Sequence, residues 1–304
     1  MRRPVVRPTA SSELAGSSRL GPASEQVRAA EDTPSPCPSR RISRRQLDTI
    51  ASQLTDYDQA VLHFVSEVRL STGHQVARRL WNARVPSDAR ARAARRALQR
   101  LEGWRVIERL PRRVGGVRAG SSSIVYGVGP TGRRLLAEGG TGPRRLGTPG
   151  DRHISHTLAI TDLVVRLHEV SLAGNLDLIT LQTEPGCWRP YVGVMGARLV
   201  LKPDLFVRIG VGAFEDRWFV EVDMATESSA TVHTKAGRYL EHFRGGSEQQ
   251  SHGVYPRVLW TVPDRRRAEQ IGEALDSLPQ AAGRLFAVWP YDEVIGRLSA
   301  EDGS

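Results

Sequence analysis

Three carboxylates and two lysines carry the most specific chemical signal in this chain. Asp204 follows Pro203 within an apolar, branched run expected as a strand from Leu201 to Ile209. Glu221 and Asp223 alternate with Val220 and Val222 in Arg217-Trp-Phe-Val-Glu-Val-Asp-Met224, a second expected strand rich in aromatic and branched residues. Strand residues two apart share a face, so Glu221 and Asp223 are expected to project together and to converge with Asp204. Carboxylate oxygens suit Mg²⁺. An ion held there would bind a scissile phosphate and polarise a water, the usual route to phosphodiester cleavage. The competing account is that such carboxylates serve turns or solvated strand edges.

The lysines stand out because the other cations are arginine: of 43 basic residues only Lys202 and Lys235 are lysine. The two side chains are not interchangeable, so two lysines mark places where a compact ammonium is wanted. His153 and His156 can pair with Asp162 as metal ligands, but no third residue has ligand spacing, and the start of a helix explains them better. No phosphate-binding Gly-Lys-Ser/Thr loop is present, which argues against an ATPase.

These residues need a frame. Leu158, Ile160, Leu163, Val164, Leu167 and Val170 recur at helical spacing up to Gly174. Leu176 to Glu184 reads as a strand, followed by the two strands above, a helix from Thr231 to Phe243 and a strand from Pro256 to Val262. The order is α-β-β-β-α-β, with a further helix near Arg265 to Leu275 and a last strand near Leu285 to Val288.

The segment before it has a different character. Thr55 caps a helix carrying Val61, Phe64, Val65 and Val68. Ser71 or Thr72 caps a second, and Pro86-Ser87-Asp88 starts a third that runs to about Glu102. At about 100° per residue, Ala91, Ala94, Ala97, Leu98 and Leu101 fall on one arc of the third helix. Arg92, Arg95, Arg96, Gln99 and Arg100 fall on the other. Asp88, four residues before Arg92, is the one acidic residue at i±4 of that face, which stays strongly basic, and guanidinium suits phosphate contact and guanine readout. Strands at Trp104 to Leu110 and Ser123 to Val128 then bracket an Arg/Gly loop with Arg112, Arg113 and Arg118 at its tip. Helix-turn-helix followed by hairpin is winged-helix order, with the third helix in the major groove and the wing along the backbone.

Charge agrees with that placement. The net charge is +10, and residues 51–150 hold 18 basic against 7 acidic residues, whereas residues 151–304 are net acidic. Such a balance points to a polyanionic partner, here double-stranded DNA. Two cysteines, Cys37 and Cys187, make no disulfide framework. No apolar run reaches membrane-spanning length and no secretory signal is seen, so a cytoplasmic protein is expected. The organisation read from composition is a disordered basic arm at 1–44, a winged helix-turn-helix at 45–138, a Gly/Pro linker at 139–151, an α/β (α+β) domain at 152–296 and a tail at 297–304.

The α-β-β-β-α-β order, with Pro203-Asp204 at one strand and Glu221-Val222-Asp223 in the next, resembles the PD-(D/E)xK restriction-endonuclease-like fold. That resemblance implies Asp204, Glu221 and Asp223 as catalytic Mg²⁺ ligands. The motif lysine is replaced here by Asp223, and Lys235 on the following helix is the implied substitute. The whole arrangement, most specifically Phe219-Val-Glu-Val-Asp-Met-Ala-Thr-Glu227 followed by Lys235-Ala-Gly-Arg-Tyr239, resembles the replication-relaxation family of actinobacterial and firmicute plasmids and integrative elements over roughly residues 50 to 265. The family implies a DNA-binding protein of a mobile element, acting in plasmid replication and DNA relaxation beside other proteins of the element. Two functions follow: a metal-dependent nickase or endonuclease, or a non-enzymatic regulator whose nuclease-like domain forms a homodimer.

Overall fold

Three helix starts are built by one device. Ser43, Thr55 and Thr72 each accept the backbone N–H three residues on, and Gln46, Asp58 and Gln75 at those positions bond back to the cap. Such reciprocal boxes satisfy two otherwise orphaned donors. They fix α1 (Arg44–Gln53), α2 (Asp56–Val68) and, after a short β1 (Leu70–Thr72), α3 (Gly73–Leu80). Next come α4 (Ser87–Gly103), β2 (Ile107–Arg109), β3 (Val125–Val128) and α5 (Pro130–Glu138). The structure is a computed structural model that describes residues 42–81, 85–110, 124–138, 150–193, 196–278 and 284–300. All of them belong to a unit that begins at Ile42.

The second half opens with the long α6 (Asp151–Leu172), then β4 (Asp177–Thr183), β5 (Arg189–Val192), β6 (Arg198–Leu201), β7 (Leu205–Val211) and β8 (Phe214–Val222). It continues with α7 (Ser229–Gly245), α8 (Ser247–His252), β9 (Arg257–Val262), α9 (Arg265–Asp276), β10 (Phe286–Pro290) and α10 (Val294–Leu298). The chain is thus mixed α and β. Five strands form a sheet in the order β10-β9-β8-β7-β4. The pairs β4·β7 and β7·β8 are antiparallel, whereas β8·β9 and β9·β10 are parallel. The alternation of strand side chains divides two cores. Leu205, Val207, Ile209, Val220 and Val222 pack toward Leu163, Val164 and Leu167 of α6. Phe206, Phe219, Val258 and Trp260 pack toward Val232, Ala236 and Tyr239 of α7 and Ile271 of α9.

Three expectations are corrected. The strand expected from Leu201 to Ile209 is broken at Pro203, because proline has no N–H for a ladder. Its first part, β6, pairs with β5 as a separate two-stranded sheet that periodicity did not reveal. The strand expected to reach Met224 stops at Val222. β1 also went unseen, being three residues long, yet it pairs with β3 and gives the first sheet the order β1-β3-β2.

The helical half and the large sheet share one apolar core, with Val61, Phe64, Val65, Tyr126 and Val128 in the same cluster as the α6 side chains. Polar contacts cross the join as well. Gln75 Nε2 donates to the Leu158 carbonyl at 2.9 Å, Thr161 Oγ1 donates to the Leu70 carbonyl at 2.8 Å, and Arg78 binds Asp162 at 2.7 Å and both oxygens of Glu169. Among the described residues no helix is long and apolar enough to cross a membrane.

Close packing in the first half is tightest at α5, where a Cβ on Gly132 would stand 2.2 Å from the Val106 carbonyl oxygen and 2.9 Å from a Leu62 methyl. Gly132→Ala is expected to lower unfolding stability by about 1–3 kcal/mol. Gly237→Ala, where a Cβ meets nothing within 4 Å, should raise it by about 0.5–1 kcal/mol. Urea midpoints check both signs, and a neutral Gly132→Ala would contradict the close approach of α5 to Val106.

Candidate functional site

Asp204 sits in the bend between β6 and β7 and is 7% exposed. Its Oδ2 accepts the Val222 N–H at 2.8 Å and lies 3.2 Å from His156 Nε2, which comes from the second turn of α6. The hydrogen bond to Asp204 holds the His156 imidazole above the ordinary histidine range despite burial, which works the other way. Glu221, near the end of β8, is 4% exposed. Tyr239 Oη donates to its Oε1 at 2.5 Å and Lys235 Nζ to its Oε2 at 3.1 Å. Lys235 and Tyr239 are four residues apart on α7 and so share a helix face. The ammonium also binds Glu227 at 2.7 Å.

Burial, reinforced by the nearby Asp204 charge, pushes the Glu221 carboxyl up to about 7, against the pull of Lys235 and Tyr239. Burial alone would lower the Lys235 ammonium, but Glu221 and Glu227 outweigh it and leave it above its ordinary range. Two buried carboxylates influencing one another beside an ammonium are therefore what converges here.

Asp223 does not join them, which corrects the expected three-carboxylate face. Because β8 ends at Val222, the Asp223 N–H turns to the Thr261 carbonyl at 2.9 Å. Its carboxylate is clasped by Arg267 of α9, Nη2 to Oδ2 at 2.6 Å and Nε to Oδ1 at 3.2 Å, and also accepts the Ala225 N–H. Among the described residues no group of three His, Cys, Asp or Glu is arranged to hold a metal ion. Lys202, two residues before Asp204 and so expected on its face, does not join the cluster either. It is exposed, with its ammonium 4.6 Å from the centre of the Trp188 ring.

Lys202 lines a cleft of about 440 Å³ whose floor holds Glu221, Lys235 and Tyr239 and whose walls include Arg198, Arg238 and Tyr191. A smaller cavity of about 170 Å³, lined by His153, His156, Arg69 and Glu184, reaches Asp204 from another side.

On α4, Ala94, Ala97, Leu98 and Leu101 are buried and Arg92, Arg95, Arg96, Gln99 and Arg100 are exposed, but Ala91, expected on the buried arc, is exposed in the second turn of the helix. Arg100 is not free, however. It chelates Asp58 at 2.6 and 3.1 Å, and Asp58 is fully buried. Spacing within one helix could not show this partner, which comes from α2. Arg92, Arg95 and Arg96 make no ion pair among the described residues. Arg95 and Gln99 line a groove of about 400 Å³ together with Arg90 and Arg109. Arg112, Arg113 and Arg118 lie outside the described residues, between the antiparallel β2 and β3.

Sequence reasoning gave His156, Glu227 and Tyr239 no part in the carboxylate site and passed over Arg267 altogether. The four-residue spacing of Lys235 and Tyr239 was a usable signal. For His156 the sequence suggested Asp162 as a partner, but Asp162 is engaged by Arg78 at 2.7 Å and Tyr291 at 3.2 Å. Arg267 stands 44 positions from Asp223, a separation that no local pattern encodes.

Residues 62–258, from α2 to the start of β9, match the family model described as replication-relaxation. No curated protein and no solved structure matches the chain.

A carboxyl held near 7 when folded and near its ordinary value of about 4.3 when unfolded gives the folded state the extra proton between those values. Stability contributed by Glu221 is therefore complete below about pH 4.3 and lost as pH rises through about 7. Glu221→Gln should remove that slope and raise stability relative to the parent at pH 8, on the order of 1–3 kcal/mol. Denaturation midpoints from pH 4 to 8 test it, and an unchanged pH profile in the variant would refute the assignment.

Proposed function

The chain belongs to the replication-relaxation family, which gives it a role in plasmid replication or relaxation, and from that premise we propose that it docks on double-stranded DNA through α4 and acts on a phosphodiester at the Asp204–Glu221–Lys235 cluster. The observation that carries this proposal is the convergence of those three groups beside a cleft lined by Arg198, Lys202 and Arg238. Two topologies support this reading. The sequence α2-β1-α3-α4-β2-β3 with sheet order β1-β3-β2 is compatible with a winged helix-turn-helix. The elements α6, β4, β7, β8, α7 and β9, with three antiparallel strands and a fourth parallel to the third, are compatible with the core order expected of a PD-(D/E)xK fold.

Asp204 and Glu221 fit Mg²⁺, which takes one or two protein carboxylates and completes its shell with waters and substrate phosphate. Asp223, chelated by Arg267, is not part of that set. Bound there, Mg²⁺ supplies Lewis acidity toward a phosphoryl oxygen and makes a nucleophile of a water. The chain's own groups do the rest. His156 and the Val222 N–H fix the Asp204 carboxylate. Tyr239 orients Glu221 by its hydroxyl. Lys235 brings a positive charge to bear on the negative charge that develops on the phosphoryl oxygens.

A regulator without enzymatic activity, acting as a homodimer or through other replication proteins, is the alternative. What favours it is that both Glu221 oxygens already have donors and Asp223 is locked by Arg267.

Supercoiled plasmid should be nicked in Mg²⁺ or Mn²⁺, and Asp204→Ala, Glu221→Ala and Lys235→Ala should each reduce the rate by about 100-fold or more. Absence of nicking with duplex binding intact would leave the regulator. Each phosphate contact on duplex DNA contributes about 0.9 to the slope of log K against log salt. The triple variant Arg92→Ala, Arg95→Ala, Arg96→Ala should therefore flatten that slope by about 3, and an unchanged slope would remove α4 from the DNA interface.

A further inference from the structure

The cleft beside the cluster has a shape and a rim that bear on which form of DNA reaches it. One wall is the β5–β6 hairpin, the other is α7, and Glu221 lies at the floor with only 4% of its surface exposed. A reacting phosphate must enter the cleft to touch it. At about 440 Å³ the cleft has the size of a small-molecule pocket, room for a nucleotide or two. A duplex, whose major groove alone is about 12 Å wide, does not fit inside.

The rim is cationic and uncommitted. Arg198 and Arg238 are exposed and make no ion pair among the described residues, and the exposed Lys202 ammonium rests on the Trp188 ring. The hairpin wall also presents apolar surface: Leu199 is 37% and Val200 44% exposed. Single-strand binding combines cations that track a backbone with aromatic rings on which bases stack, and the Tyr191 ring lines the same cleft. The exposed arginines of α4 lie instead along a 17-residue helix, the element that a duplex major groove admits.

We propose that the cleft between the β5–β6 hairpin and α7 binds a single DNA strand, with Arg198, Lys202 and Arg238 holding backbone phosphates and feeding one phosphodiester to Glu221 and Lys235. This rests on the function proposed above and adds a division of labour: duplex is held by α4, and an unpaired strand is held by the cleft. The substrate is then duplex that is locally opened or ends in a single-stranded stretch.

The test is binding by the full chain in EDTA, so that cleavage plays no part, read as fluorescence anisotropy of a labelled oligothymidine and of a labelled duplex. Arg198→Ala, Lys202→Ala, Arg238→Ala, combined, should weaken the single strand by tenfold or more, flatten its salt slope by about 2 at about 0.7 per phosphate, and leave duplex affinity within twofold. The combined Arg92, Arg95 and Arg96 alanine variant should do the reverse. All six side chains are exposed, and matching circular dichroism spectra and melting temperatures establish that both variants fold. Single-strand affinity that ignores the cleft variant, or no single-strand affinity while duplex binding through α4 persists, overturns this proposal and leaves the proposed function standing. Equal loss of single strand and duplex in the cleft variant also overturns it, since the cleft would then serve duplex. Duplex binding that ignores the α4 variant instead defeats the underlying docking scheme.

Discussion

Three carboxylates are buried at one end of the large sheet, and burying a charge is costly unless it is paired and hydrogen-bonded. Each has its own partner from a different helix: Asp204 has His156 of α6, Glu221 has Lys235 and Tyr239 of α7, and Asp223 has Arg267 of α9. Because α6 covers one sheet face and α7 with α9 the other, satisfying these charges pins both helical layers at the same end of β8. That end is the carboxyl end of β8 and β9, the parallel pair, which is where open α/β sheets place their sites. The demand for charge compensation and the location of the cleft are therefore one constraint.

α6 carries this constraint into the helical half. His156, which holds Asp204, and Asp162, which holds Arg78 of α3, are six residues apart on that helix, or about 9 Å at 1.5 Å per residue. Thr161 lies between them and donates to the Leu70 carbonyl at the start of β1. The position of α4 relative to the carboxylates is thus set by a packed, hydrogen-bonded helix. A chain that reads as two domains joined by a Gly/Pro segment packs its described residues around one shared apolar core.

Much of the helical half was legible in the sequence, because capping residues and 3.6-residue periodicity are local signals. Thr55, Thr72 and the arc of α4 stand where spacing put them. The strands of the large sheet were legible too, but not their ends, and the short β1 and β5 were missed. Pro203 cuts one expected strand and Val222 closes another, and in a period-two element the last residue decides whether a side chain belongs to a face at all. Asp223 fell on the wrong side of that boundary. The long-range partners, Arg267 for Asp223, Asp58 for Arg100 and His156 for Asp204, arise from tertiary packing over separations of 42 to 48 residues, and no residue pattern near either member announces them.

The uneven use of arginine and lysine separates the structural carboxylates from the chemical one. Three buried or half-buried acids are fixed by a bidentate guanidinium: Asp58 by Arg100, Asp223 by Arg267 and Glu169 by Arg78. Such forks match the carboxylate plane and hold a single geometry. Glu221 is treated differently. Its cation is one of the only two lysines, a point charge on a flexible stem shared between Glu221 at 3.1 Å and Glu227 at 2.7 Å. An ammonium with two acceptors can turn toward Glu227 and leave one Glu221 oxygen for another cation or a phosphate-bound water, whereas a bidentate guanidinium occupies both oxygens of its carboxylate at once. On that physical distinction Asp223 is a scaffold carboxylate and Glu221 the one that the proposed chemistry uses, although only Val222 stands between them in the sequence.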